Sequence, residues 1–128
     1  MTKRITIVED NLDNQVLFEA MLEDHFDVTL FDSGAPALES FASDAPDLLL
    51  LDISLPGMDG LEVLRRLKQL ESMGGVPVIA LTAHAMSGDK ERFLRAGFDD
   101  YVAKPVVDEA GFVATIRQHL EPASASTG

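Results

Sequence analysis

Short apolar segments alternate with longer amphipathic segments along the chain. Segments such as "RITIV", "DVTLF" and "PVIALT" are rich in β-branched residues, which is typical of strands. The segments between them have helical periodicity and good helix-forming residues. The predicted strands cover residues 4–8, 27–31, 47–53, 77–82 and 100–103, and the predicted helices cover residues 11–25, 33–43, 59–72, 87–96 and 108–120.

The order of these elements predicts the fold class. Strands that alternate with helices favour a parallel sheet with helices on both faces. Residues 47–53 and 77–82 are apolar without alternation, as expected for strands that are buried on both faces. We therefore predict a single doubly wound α/β domain over residues 1–121, followed by a disordered polar tail at 122–128.

Composition and charge narrow the function classes. The chain has 128 residues, which suits one domain with one core. Its formal net charge of −12 disfavours direct binding to nucleic acid or to an anionic membrane. Cysteine is absent, which excludes disulfides and thiolate metal sites and fits a cytoplasmic protein. No apolar stretch is long enough to span a bilayer.

Polar side chains follow every predicted strand, but those after the second strand, Asp32 and Ser33, fit an ordinary turn and a helix cap. The other four strands end in candidate functional residues. In open parallel sheets, ligands bind at the carboxyl ends of the strands, where the strand order reverses. The residues at these ends should therefore meet at one edge of the sheet, and they are Glu9, Asp10, Asp52, Thr82 and Lys104.

This combination of side chains points to phosphoryl chemistry. Three neighbouring carboxylates repel one another unless positive charge offsets them, and Mg²⁺ is commonly held by carboxylates and phosphate oxygens. Asp52 could act as a nucleophile that forms an aspartyl-phosphate, with Lys104 and Mg²⁺ neutralising the charge. Each residue taken alone also fits a turn, a helix cap or a surface lysine, and only their occurrence together points to phosphoryl chemistry.

Four segments resemble the receiver domain of two-component response regulators. They are "IVEDN" (7–11), "LLLLDISLPGMDG" (48–60), "PVIALTAHA" (77–85) and "AGFDDYVAKP" (96–105), and the resemblance extends from about residue 3 to residue 120. It implies a flavodoxin-like fold with strand order 2-1-3-4-5. It also implies a phosphoprotein that accepts a phosphoryl group from a histidine kinase or a histidine phosphotransfer protein, with Mg²⁺ as cofactor and without turnover of external substrates.

The resemblance assigns roles to the acidic residues. Asp52 matches the phosphoacceptor, Asp10 the direct Mg²⁺ ligand, and Glu9 the acid that holds the metal through water. Ser54 lies where the family uses a backbone carbonyl as a metal ligand.

The resemblance also assigns the residues that respond to phosphorylation. Thr82 matches the hydroxyl that binds the phosphoryl group, and Lys104 matches the lysine that pairs with it. The bond from Lys104 to Pro105 matches one that is cis in the family. Tyr101 matches the switch aromatic, although it also fits an ordinary half-buried tyrosine. Ala83 is small enough to leave room for the phosphoryl group.

Two positions flank this site where the family tunes dephosphorylation, Ser54 and His84. His84 could orient or hinder the attacking water, or it could be an exposed loop histidine. Both interpretations of His84 stay open.

The first predicted helix has apolar residues on two faces. Leu17, Phe18, Met21 and Leu22 should face the core, with Asn14 on the same side. Leu12 and Val16 fall on the opposite face, where they could receive a phosphodonor helix or could be scattered surface residues.

A second interaction face should adjoin the switch. We expect a downstream protein to bind there, with Met86, Lys90 and Tyr101 as candidate contacts. The short segment after residue 120 favours a stand-alone regulator, monomeric or weakly dimeric, with a fragment of a longer protein as the alternative.

Three other functions fit the sequence less well. A phosphatase related to the haloacid dehalogenases needs a second acid two residues after the nucleophile, where this chain has Ser54. A flavin carrier needs a phosphate cradle after the first strand, where residues 9–14 are acidic. A receiver-like module that binds partners without phosphorylation should lack one of the site residues, and none is missing.

Overall fold

A five-stranded parallel sheet forms the centre of the protein. The structure is a computed structural model, and it describes residues 2–83 and 89–120. The strand order is β2-β1-β3-β4-β5, which confirms the predicted doubly wound topology. The strands are β1 (Arg4–Val8), β2 (Asp27–Phe31), β3 (Leu48–Asp52), β4 (Val78–Thr82) and β5 (Asp100–Ala103).

Within the described residues, five α-helices connect and follow these strands. They are α1 (Leu12–Leu22), α2 (Gly34–Phe41), α3 (Gly60–Leu67), α4 (Asp89–Ala96) and α5 (Glu109–Leu120), with a 3₁₀ turn at Glu71–Met73. Within residues 2–83 and 89–120, no helix is long and apolar enough to cross a membrane.

The helices cover both faces of the sheet. On one face, Phe18 of α1 and Phe112 of α5 pack together with ring centroids 5.8 Å apart. On the other face, Phe41 of α2 and Phe93 of α4 belong to a second apolar cluster. Every residue of β3 and β4 is buried, because helices lie above and below these central strands. The carboxyl end of β3 is therefore rigidly held.

Several helix ends differ from the sequence prediction. The helix predicted over 11–25 ends at Leu22, and the helix predicted over 33–43 covers Gly34–Phe41. The helix predicted over 59–72 ends at Leu67, because the chain tightens into bonds of the 3₁₀ type, from the Gln69 N–H to the Arg66 carbonyl and from the Leu70 N–H to the Leu67 carbonyl. Ser33 precedes α2 in extended conformation, but its side chain makes no capping hydrogen bond.

The inward face of α1 is narrower than predicted. Phe18 and Leu22 are buried, and Met21 is half-buried. Leu17 was expected on the core side, but it is 37% exposed because the buried stripe is centred on Phe18 and Leu22. Leu12 and Val16 are 70% and 62% exposed, as predicted.

Candidate functional site

Three carboxylates meet at the carboxyl ends of β1 and β3. Glu9 and Asp52 are 0% and 2% exposed, whereas Asp10 is exposed. One carboxylate oxygen from each of the three residues lies within 4.8 Å of the others. This cluster forms because β1 and β3 are adjacent parallel strands that end at the same edge of the sheet.

Lys104 bridges the two buried carboxylates. Its Nζ lies 3.0 Å from Asp52 Oδ2 and 3.1 Å from Glu9 Oε1. The Lys104 N–H donates to the Thr82 carbonyl at 2.8 Å, which ties the end of β5 to the end of β4. The peptide bond from Lys104 to Pro105 is cis, as the family resemblance implied. Thr82 is 5% exposed at the end of β4.

Burial and charge shift two pKa values in the cluster. Burial raises the pKa of Glu9 above its ordinary value, and Asp52 adds to this effect, while the Asn11 N–H and Lys104 oppose it. Burial also acts to lower the pKa of Lys104, but the hydrogen bonds to Asp52 and Glu9 outweigh it and raise that pKa. When Glu9 is ionised, the negative charge of the three carboxylates therefore exceeds the positive charge that Lys104 supplies.

This charge balance predicts how stability depends on pH. Since the pKa of Glu9 is raised from 4.5 on folding, the unfolded chain loses this proton first as the pH rises. The Glu9 contribution to the free energy of unfolding therefore falls between pH 4.5 and the folded pKa. We expect Glu9→Gln to be more stable than the wild type at neutral pH without metal, and this difference to vanish below pH 4.5.

Urea unfolding from about pH 4 to about pH 8 in metal-free buffer measures this effect. Glu19→Gln, which changes an exposed acid of α1, is the matched control. An unchanged difference between Glu9→Gln and wild type across the pH range would contradict the prediction.

The residues at this edge suit a hard divalent cation. Carboxylate oxygens are the ligands that Mg²⁺ prefers, and the exposed Asp10 leaves the cluster open to solvent on one side. Mg²⁺ fits this site because three carboxylates each place an oxygen within 4.8 Å of the others. Glu9, Asp10 and Asp52 are the residues that could hold such an ion.

The loop after β3 holds the second oxygen of Asp52. The Ser54 N–H donates to Asp52 Oδ1 at 2.9 Å, so both carboxylate oxygens of Asp52 have fixed partners. Ser54 and Ala83 are exposed at the rim. His84 lies outside the described residues, as does Met86, and the side chain of Lys90 is also outside them.

Tyr101 lies on β5, away from the acidic cluster. It is half-buried, and its ring centroid lies 6.0 Å from that of Phe93 on α4. It also lines a cavity of about 370 Å³ that runs along β5 and the start of α5, next to Val107 and Thr115. Tyr101 is therefore part of β5, its ring packs against α4, and it lines the cavity beside α5.

Sequence reasoning missed the side chains of α1 that hold Glu9. Gln15 Nε2 donates to the Glu9 carbonyl at 2.6 Å, and Asn14 Nδ2 donates to Glu9 Oε1 at 3.4 Å. Amide side chains at the start of a helix that follows an acid are the available signal, although many helices have them without such contacts. Gly60 was also missed, although it lies directly against the main chain of Asp52.

Comparison with known proteins gives one family. Residues 5–117 match the model of the response regulator receiver domain. The chain is 42% identical over 121 residues to the polar-differentiation response regulator DivK of Brucella ovis, covering 94% of this chain and 98% of that protein. It is 45% identical over 106 residues to the signal transduction histidine-protein kinase BarA of Escherichia coli, covering 82% of this chain and 12% of that protein.

A solved structure agrees with this match. The receiver domain of sensor histidine kinase PA1611 from Pseudomonas aeruginosa, crystallised with a magnesium ion in its active-site cleft, superposes with a TM-score of 0.84 at 38% identity. The superposition covers 94% of this chain and 98% of that domain. The chain therefore belongs to the family of response regulator receiver domains, which act in two-component signalling.

Proposed function

We propose that Asp52 is the phosphoacceptor of this receiver domain. The observation that carries the proposal is the pairing of buried Asp52 with Lys104 Nζ at 3.0 Å, inside a cluster with Glu9 and Asp10. A buried carboxylate with fixed partners is positioned for attack, and phosphoryl transfer requires mainly positioning and charge neutralisation.

We propose a reaction that uses these positions. A carboxylate oxygen of Asp52 attacks the phosphorus of a phosphohistidine, the phosphorus–nitrogen bond breaks, and the donor imidazole keeps the electron pair. Lys104 neutralises charge on the transferred group, and the Thr82 hydroxyl binds one of its oxygens. Asp10, Asp52 and the Ser54 carbonyl would hold Mg²⁺, with Glu9 as the acid that holds it through water, and the ion would supply further charge neutralisation.

The proposed donor is a histidine kinase or a histidine phosphotransfer protein. The match to the kinase BarA supports this class of donor. We further propose that the domain extends over residues 1–121, resides in the cytoplasm, is monomeric or weakly dimeric, and turns over no external substrate. The identity of Ser54, where a phosphatase needs an acid, supports the last point.

Phosphorylation by a small-molecule phosphodonor tests the proposal. We expect the intact mass of the wild type to increase by one phosphoryl group with Mg²⁺ and to stay unchanged without it. No increase in either condition, even with rapid acid quenching, would favour a module that binds partners without phosphorylation.

Exposed apolar residues on α1 support a docking surface for the donor. Leu12 and Val16 are 70% and 62% exposed on the helix that begins beside the acidic cluster. Residues 5–64 contain fourteen aspartates and glutamates and no lysine or arginine. We therefore expect the donor to present an apolar centre with a basic rim.

Val16→Lys should slow transfer from the protein donor about tenfold, because it places a charge in the apolar centre of this surface. Its phosphorylation by a small molecule should not change. Leu61→Lys, which alters an apolar residue 42% exposed on α3, is the control. Rapid-quench transfer assays measure both variants, and equal rates for Val16→Lys and the wild type would refute the docking surface.

The switch is proposed to link Thr82 to Tyr101 and to a face formed by α4, β5 and α5. Tyr101 contacts Phe93 of α4, so movement of its ring would alter this face. We expect Tyr101→Ala to reduce the increase in affinity for the downstream protein on phosphorylation at least about fivefold, as calorimetry would measure. Tyr101→Phe is the control, and an unchanged increase for Tyr101→Ala would contradict the switch.

Ser54, Ala83 and His84 are proposed to tune the lifetime of the phosphoryl group. Ser54 and Ala83 are exposed beside Asp52 and Thr82 along the chain, where water could approach the phosphoryl group. If the phosphoryl group decays at the wild-type rate in both Ser54→Ala and His84→Ala, then Ser54 and His84 do not tune its lifetime.

A further inference from the structure

Helix α3 begins directly against the backbone of Asp52. Its first residue, Gly60, is buried, and the Gly60 N–H donates to the Ile53 carbonyl at 2.9 Å. A Cβ atom at Gly60 would overlap the Asp52 carbonyl oxygen, and it would lie 2.7 Å from Ile53 Cα and 3.0 Å from the Asp52 carbonyl carbon. Only glycine fits this contact.

The atoms that a Cβ would meet cannot rotate away. They belong to the main chain at the end of β3, which pairs with β1 on one side and with β4 on the other. A side chain at Gly60 would therefore displace the start of α3 or the loop of residues 53–59. The same loop carries the Ser54 N–H that binds Asp52 Oδ1 at 2.9 Å.

We propose that Gly60 is a positioning residue for phosphoryl transfer, which rests on the proposed role of Asp52. The absence of a side chain at Gly60 lets α3 close the loop onto the end of β3. This contact sets the direction of the Asp52 carboxylate and of the Ser54 main chain toward the acidic cluster.

Gly34 offers a matched control. It is also buried at the start of a helix, and a Cβ there would overlap Val63 Cγ2. Its next neighbours are atoms of Met58 at 3.6 and 3.8 Å, which are ordinary contacts. Gly34→Ala therefore presses on the Val63 side chain of α3 but not on the main chain of Asp52 or Ile53.

The test compares Gly60→Ala with Gly34→Ala. We expect Gly60→Ala to weaken Mg²⁺ binding and to slow phosphorylation by a small molecule, each at least about tenfold, with Gly34→Ala close to the wild type. In metal-free protein, the Ser54 amide resonance should shift and exchange faster with solvent in Gly60→Ala alone. Equal behaviour of the two variants in Mg²⁺ affinity and Ser54 exchange would overturn the proposal.

A second pair of variants decides the question if Gly60→Ala does not fold. Asp59 caps α3, since its Oδ1 accepts from the Glu62 N–H at 2.9 Å. Asp59→Asn and Asp59→Ala remove the same charge, but only alanine removes the cap. Weaker Mg²⁺ binding and faster Ser54 exchange in Asp59→Ala alone would support the proposal, and equal values in the pair would overturn it.

The proposed function and the role of Gly60 can fail separately. A wild type that never gains a phosphoryl group would refute the function of Asp52. Ser54 exchange in the variants would still decide whether Gly60 sets the geometry of the loop.

Discussion

Lys104→Met is expected to lower the free energy of unfolding by about 3 kcal/mol at neutral pH and to abolish detectable phosphorylation. The Lys104 side chain is 12% exposed and pairs with Glu9 and Asp52, whose side chains are 0% and 2% exposed. Removing this cation leaves two buried carboxylates without their shared partner, which is costly in a medium of low polarity.

The direction in which folding shifts the pKa of Lys104 decides how its contribution to the free energy of unfolding changes with pH. Because folding raises this pKa above 10.5, the stabilisation by Lys104 is fully present below pH 10.5 and is lost as the pH rises through the folded value. Lys104→Met should lack this loss of stability in strongly alkaline solution.

Urea unfolding and intact mass after treatment with a phosphodonor measure both parts of this prediction. Lys68→Met, which alters an exposed lysine at the end of α3, is the control. Adding Glu9→Gln to Lys104→Met should restore part of the stability, because one uncompensated charge is removed. Unfolding of Lys104→Met at the wild-type urea concentration would show that the bridge contributes no stability.

Asp52→Asn is expected to abolish phosphorylation while keeping the fold. The amide oxygen can still accept from the Ser54 N–H, and Lys104 Nζ keeps its contact with Glu9, but the amide NH2 cannot accept a hydrogen bond and the amide is a poor nucleophile toward phosphorus. We therefore expect no mass increase with Mg²⁺ and a phosphodonor, and a thermal unfolding midpoint no lower than that of the wild type.

Asp59→Asn is the control for Asp52→Asn, because it removes a carboxylate from the same loop and keeps the helix cap. It should take up one phosphoryl group as the wild type does. If Asp52→Asn gained the same mass as the wild type, another residue would be the acceptor.

The sheet and the acidic cluster could be predicted because they depend on local patterns. Unbroken apolar segments predicted that β3 and β4 would be buried on both faces, and every residue of both strands is buried. Parallel strands bring their carboxyl ends to one edge, so the cluster of Glu9, Asp10 and Asp52 could be predicted from their positions directly after β1 and at the end of β3.

Contacts between distant segments could not be predicted in the same way. No sequence pattern shows that Lys104 reaches Glu9 as well as Asp52. The contact from Gln15 to the Glu9 carbonyl joins nearby residues, but it depends on a side-chain direction that the sequence does not reveal. The close contact of Gly60 with the main chain of Asp52 depends on how α3 packs against the end of β3 after a loop of seven residues. The sequence pattern does not reveal this packing. The early end of α3 likewise depends on local hydrogen bonding that helix periodicity does not reveal.

Chemical mapping of the phosphoryl group tests the central claim most directly. Wild-type protein treated with Mg²⁺ and a phosphodonor is reduced with borohydride, which converts an aspartyl-phosphate to homoserine, and is then digested and sequenced by mass spectrometry. The structure predicts homoserine at position 52 and at no other aspartate. Homoserine at Asp10 or at another position, with residue 52 unmodified, would contradict the proposed role of Asp52.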